Sequence, residues 1–135
     1  HWDLLMSPLV NYVGIGMTYR SSTRKTFGDV VLIDGPDRSP PGAAMVSVSL
    51  DGDDVTWTWR GWDRILQRRT SGVATYEVQY RVDSGTFDTV ASATTGTRRI
   101  ATNRSGGHTH GLRVRARDGA GNVGAWSSEM RIWVP

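Results

Sequence analysis

A chain of 135 residues with 38% hydrophobic side chains can bury one core and carry a short appendage beside it. It holds no cysteine, which excludes a disulfide scaffold and thiolate metal ligation, and no apolar run reaches the roughly 20 residues needed to cross a bilayer. Sixteen Lys and Arg against 13 Asp and Glu give a net charge of +3, with Lys25 the sole lysine; the signs are interspersed, as on a solvated mixed surface, with no specific nucleic-acid footprint.

The chain opens on His1-Trp2-Asp3 with no initiator methionine or leader pattern, and reads as a piece of a longer protein. Residues 1–9 look like the last turn of a helix entering a loop at Ser7-Pro8. In residues 12–20 Val13, Ile15, Met17 and Tyr19 line one face of a strand, with Gly14 and Gly16 on the other. A polar hairpin loop over 21–25 leads to a second strand over 27–33, apolar on both faces toward its end, as in the middle of a layered α/β structure.

These residues carry a first resemblance. His1-Trp-Asp-Leu-Leu-Met-Ser-Pro8 followed by Tyr12-Val-Gly-Ile-Gly16 resembles the C-terminal third of the cysteine-rich secretory, antigen 5 and pathogenesis-related (CAP/SCP) superfamily. The resemblance implies that residues 1–34 are the C-terminal remnant of such an α/β domain. It also places His1 on the second His of the family's two-His, two-carboxylate cleft, whose other members would lie upstream. Trp2 and Asp3 depart from the family's usual Arg and small residue. A lone terminal His is a poor metal site, since zinc takes three or four ligands. The prolines and glycines of residues 35–42 then read as a semi-rigid linker.

From residue 43 the strand signals come at sandwich spacing. Strands are expected over 45–50, 55–59 (with Val55, Trp57 and Trp59 on one face), 76–81, 87–91, and 98–102 with Ile100 as apolar anchor. A long polar loop is expected over 61–72. In residues 109–117 Leu112, Val114 and Ala116 alternate with Arg113, Arg115 and Arg117; a turn at 118–122 follows, and Trp126 is expected to begin the last strand, where Met130, Ile132 and Val134 face inward. The fold class expected is all-β, an immunoglobulin-like seven-stranded β-sandwich with an N-terminal β-hairpin remnant of an α/β domain.

Val55-Thr-Trp-Thr-Trp59, Tyr76-Glu-Val-Gln-Tyr-Arg-Val-Asp83, Leu112-Arg-Val-Arg-Ala-Arg-Asp118 and Gly121-Asn-Val-Gly-Ala-Trp-Ser127 together make residues 43–135 resemble a fibronectin type III domain of the kind attached to secreted bacterial proteins. The family usually has a Tyr two residues before the Leu112 position, bonding upstream backbone at a corner. Here His110 stands there, and an imidazole could make a similar bond.

Candidate chemistry is sparse. Asp51, Asp53 and Asp54 lack the spacing and distal Glu of a calcium loop and fit a turn. His108 and His110 share a strand face without a third ligand nearby, and no Gly-x-Ser-x-Gly context organises a nucleophile. Asn103-Arg104-Ser105 fits a glycosylation sequon, read as incidental. Arg113, Arg115 and Arg117 form an outward cationic row; cross-strand pairing with Glu77, Gln79, Arg81, Glu129 and Arg131 gives it a structural role, and an acidic polymer is the alternative partner. Trp62 and Trp133 are candidate platforms for sugar stacking, or packing residues.

The sequence thus points to a non-catalytic extracellular spacer or binding module of a secreted or wall-associated bacterial protein, with no cofactor and no metal. The expected partners are a cell-wall or extracellular polysaccharide or a protein, with self-association through the N-terminal hairpin as a further expectation. The alternatives are the tail of a hydrolytic or lipid-binding CAP-family protein and a carbohydrate-binding β-sandwich.

Overall fold

The computed structural model describes residues 12–33, 36–64 and 70–135. The chain divides into two compact units, His1–Asp37 with Ile65–Thr70, and Arg38–Arg64 with Ser71–Pro135. His1 and the helical turn expected over residues 1–9 lie outside the described residues. No helix long and apolar enough to cross a membrane occurs among the described residues.

The first unit contains an antiparallel hairpin of β1 (Tyr12–Arg20) and β2 (Lys25–Ile33), in unbroken register from Tyr12↔Ile33 to Arg20↔Lys25. The turn is shorter than expected, because Lys25 already pairs; Thr23 and Arg24 close it by donating their N–H groups to the Arg20 and Ser21 carbonyls. Ile15 lies opposite Val30 and both are exposed, as are Met17 and Tyr19. A two-stranded ribbon with solvated apolar side chains gains little from burial. Its amides should therefore exchange with deuterium well before those of residues 112–117. Equal protection would contradict a solvated ribbon.

The second unit is a two-sheet sandwich. One sheet has the order β3 (Gly42–Asp51), β4 (Asp54–Trp62), β7 (Arg98–Ala101); the other runs β6 (Asp88–Thr94), β5 (Val73–Val82), β8 (His108–Asp118), β9 (Met130–Val134). All neighbouring strands are antiparallel. The period-two faces expected of β4, β5 and β8 are the buried ones. Val55, Trp57 and Trp59 from one sheet meet Tyr76, Val78, Leu112, Val114 and Ala116 from the other, with Val134 closing the edge. Trp57 stands edge-on to Tyr80 and Trp59 to Tyr76, ring centroids 6.1 Å apart in both pairs, the T-shaped geometry that the ring quadrupoles favour.

Four expectations need correction. Ile100 is not an anchor. The pairing Trp57↔Arg99, Thr56↔Ile100, Val55↔Ala101 turns Arg99 and Ala101 toward the inner layer with Trp57 and Val55, leaving Ile100 outward and 47% exposed. Trp126 does not begin the last strand; regular pairing starts at Met130, opposite Leu112. The loop expected from residue 61 begins later, because β4 runs on to Trp62 opposite Gly42. Phe87 lies just before β6, which extends to Thr94 and carries two register shifts. A further shift between Met45 and Ser47 turns Val46 to solvent, as a β-bulge does.

Trp59 is 4% exposed between the sheets. Trp59→Ala should cost about 3–5 kcal/mol, the range for deleting a large core aromatic, read as a lowered denaturant midpoint at constant m-value. An unchanged midpoint would contradict this packing.

Candidate binding surfaces

The outer face of the β6-β5-β8-β9 sheet carries the cationic row. Opposite Arg115 in register stands Glu77, and opposite Arg113 stands Gln79. Arg115 donates from Nε and Nη2 to Glu77 Oε2 at 2.8 and 2.6 Å, and Arg113 from the same two nitrogens to Gln79 Oε1 at 3.0 and 2.7 Å. The expected cross-strand role is therefore present for these two. Arg117 is exposed and donates to the Gly121 carbonyl at 3.1 Å.

Aromatic rings from outside the strands complete the layer. The Arg113 guanidinium lies 3.8 Å from the Phe87 ring centre and 4.7 Å from that of Trp126; Arg115 stacks on Trp126 at 4.5 Å and Arg81 on Phe87 at 4.5 Å. The order Arg81, Phe87, Arg113, Trp126, Arg115 is an alternating cation–π ladder. Residues 119–129 bring Trp126 there. Asp118, 2% exposed, accepts from the backbone and side-chain N–H groups of Asn122 at 2.8 and 2.7 Å, which closes the turn over residues 118–122. Gly121 at φ 92 turns the chain back. Gly124 and Ser127 then donate to the Ala116 and Val114 carbonyls, and Ser127 Oγ accepts from the Val114 N–H.

Glu129 fixes the other end. It crosses β8 to receive Arg81, whose Nε donates to Oε1 at 2.9 Å and whose Nη2 reaches Oε2. The crossing is possible because residue 111 is glycine: a Cβ there would overlap Glu129 Oε1. Hydrogen bonding from Arg81, then its charge and those of Arg131 and Arg113, holds the Glu129 carboxyl below its ordinary value against the opposing effect of burial. Nothing in the alternation of residues 109–117 marks this pair, except that glycine interrupts an otherwise side-chain-bearing strand.

Beyond the ladder, Asp83 (φ 52) accepts from the Thr109 N–H and from His108 Nδ1, both at 2.8 Å. The Thr109 bond, then the His108 bond, lowers its carboxyl from the ordinary value. Trp133, opposite Thr109, is 59% exposed. Trp62 lies on the other sheet, flat enough on Gly42 that a Cβ there would strike its indole, with 42% of it still exposed. The two tryptophans thus sit on different sheets. Asp51 and Asp54 pair across the Gly52-Asp53 turn, and Asp54 Oδ1 accepts from the Asn103 N–H at 3.1 Å.

His110 makes the corner bond. Its Nε2 lies 3.1 Å from the Ser105 carbonyl, and since that oxygen only accepts, Nε2 carries the proton. Nδ1 shares a hydrogen bond with the Tyr80 hydroxyl, which accepts from Arg104 Nη1 at 3.4 Å. The imidazole is 2% exposed.

No protein-family model matches this chain, and no curated protein does. Solved structures do match. A Fn3-like protein from Clostridium thermocellum aligns with a TM-score of 0.52 at 22% identity, over 72% of this chain and 95% of that one. The fourth FNIII domain of a human protein aligns at 0.53 and 19% identity, over 76% of this chain and 84% of that one. A myokine structure aligns at 0.51 and 16%, over 72% and 99%. At such identities the likeness concerns the fold: the sandwich is of the fibronectin type III kind.

Because folded Glu129 titrates below the unfolded value near 4.5, its stabilising contribution is complete above that pH and is lost as acid protonates it. Glu129→Gln should flatten the loss of stability below about pH 4.5. Gly111→Ala should destabilise by about 1–3 kcal/mol through overpacking, and in a Glu129→Ala background by much less. Additive costs in that double-mutant cycle would contradict the crossing.

Proposed function

We propose that residues 43–135 form a non-catalytic spacer or binding module of a secreted or wall-associated bacterial protein. Residues 35–42 act as a linker, whose last residue Gly42 already pairs as the first of β3, and residues 1–34 derive from a CAP/SCP-type domain, a reading that rests on their motifs. The observation that carries the module reading is the division of labour on the sandwich. Arg113 and Arg115 are engaged by Gln79, Glu77 and Trp126, so their sheet face serves the fold. Arg117 remains the row's exposed member toward an acidic polymer.

Exposed Trp133, on an edge strand, favours a polysaccharide as the ligand, since an indole face covers the apolar face of a sugar ring at little entropic cost. Trp62 is the lesser platform, with Gly42 beneath it. The test is co-sedimentation of the chain with insoluble bacterial cell-wall polysaccharide. Retention should fall about tenfold in Trp133→Ala, roughly the 1.4 kcal/mol equivalent of one lost stacking contact. Absence of retention for the unaltered chain would leave the spacer role alone.

A further inference from the structure

A second feature of the sandwich lies away from both tryptophans. The sheets gape where edge strands β6 and β7 face each other, leaving a cleft of 260 Å³ lined by Tyr80, Val90, Arg99, Ile100, Thr102 and Arg104. That is below the roughly 300–1,000 Å³ of pockets for drug-sized ligands, and suits one ring-sized unit. Its walls differ in chemistry. Val90 and the Tyr80 ring are apolar, Tyr80 and Thr102 bring hydroxyls, and two guanidinium groups bring charge.

Among the described residues, no carboxylate lines this cleft. Among the described residues, Arg99 donates only from Nη1 to the Val90 carbonyl, at 3.4 Å. Arg104 uses Nε on the Thr102 carbonyl at 3.1 Å and Nη1 on Tyr80. Arg99 therefore keeps its Nε and Nη2 fork, and Arg104 its Nη2, as cationic donors without an acidic partner. Arg113 and Arg115 have their forks filled by Gln79 and Glu77. A half-buried guanidinium with an open fork is built to take a planar or tetrahedral oxyanion. The Tyr80 hydroxyl beside it is hydrogen-bonded to His110 Nδ1 and to Arg104 Nη1.

We propose that this cleft binds an anionic sugar unit, a pyranose bearing a carboxylate or a sulfate. The anionic group would sit on the open donors of Arg99 and Arg104, and the ring would lie against Val90 and the Tyr80 ring. Carboxylate and sulfate share the chemistry the cleft offers. The inference rests on the polysaccharide reading above and names a second subsite for it.

The test is amide shift mapping of the whole chain with four probes: digalacturonate, a monosulfated lactose, lactose and sodium sulfate. One or both charged disaccharides should move residues 80, 90 and 99–104 at millimolar concentration, while lactose does not; the one that binds names the anion. Arg99→Gln with Arg104→Gln should weaken that binding at least tenfold while the thermal midpoint stays near that of the unaltered chain. If the double variant fails to fold, the shift map of the unaltered chain still decides. No shifts at the cleft with either charged disaccharide would overturn the proposal, as would sodium sulfate binding equally well, an adventitious ion only. Wall polysaccharide retention lost in Trp133→Ala, without cleft shifts from any probe, would spare the module reading and sink the cleft.

Discussion

The inward face of β4 is what the rest of the sandwich depends on. Val55 and Trp57 are fully buried and Trp59 nearly so, and two indoles in one strand set the spacing that both sheets must accept. Facing side chains divide accordingly: aromatic Tyr76 and Tyr80 meet the indoles edge-on, while Val78, Leu112 and Val114 fill between. The arrangement carries a penalty. Neither indole N–H has a hydrogen-bond partner among the described residues, and a buried unpaired donor costs about 1–3 kcal/mol. Removing a buried aromatic costs about 3–5 kcal/mol. Area wins over polarity here, which explains why tryptophan can stand where a partnerless donor is otherwise excluded.

The opposite face of β8 solves a different problem. An exposed ion pair contributes about 0–1 kcal/mol, and the neighbouring cations Arg81, Arg113 and Arg115 repel one another. Interleaving rings between the guanidinium groups screens that repulsion and adds about 0.5–1 kcal/mol per contact at exposed sites. Four such contacts involve Phe87 and Trp126. Because both rings come from outside regular strands, the ladder also fastens residues 119–129, which have only a few backbone bonds to β8, onto the sheet.

The strands of the sandwich were legible because burial on one face enforces period two. The pairs Arg115–Glu77 and Arg113–Gln79 were legible with them, as consequences of strand order. What stayed hidden depends on register, which alternation does not encode. Ile100 looks like an anchor beside two arginines, yet the one-residue phase set by pairing with β4 turns Arg99 inward. Its aliphatic stem tolerates that position while the head reaches the Val90 carbonyl. Phe87 and Trp126 escaped for a related reason: each reads as part of a strand, and lies just outside one.

His110 connects these levels. At the corner where the family resemblance puts a tyrosine, a phenol supplies one hydrogen bond to upstream backbone. The imidazole supplies that bond through Nε2 and has a second ring nitrogen, Nδ1, that hydrogen-bonds the Tyr80 hydroxyl. Tyr80 in turn stands edge-on to Trp57 within the core and receives Arg104 at its rim. The substitution thereby links the buried indole layer to a cationic side chain at the opening between the sheets. A tyrosine corner, bonded only to backbone, would leave the Tyr80 hydroxyl without the His110 partner.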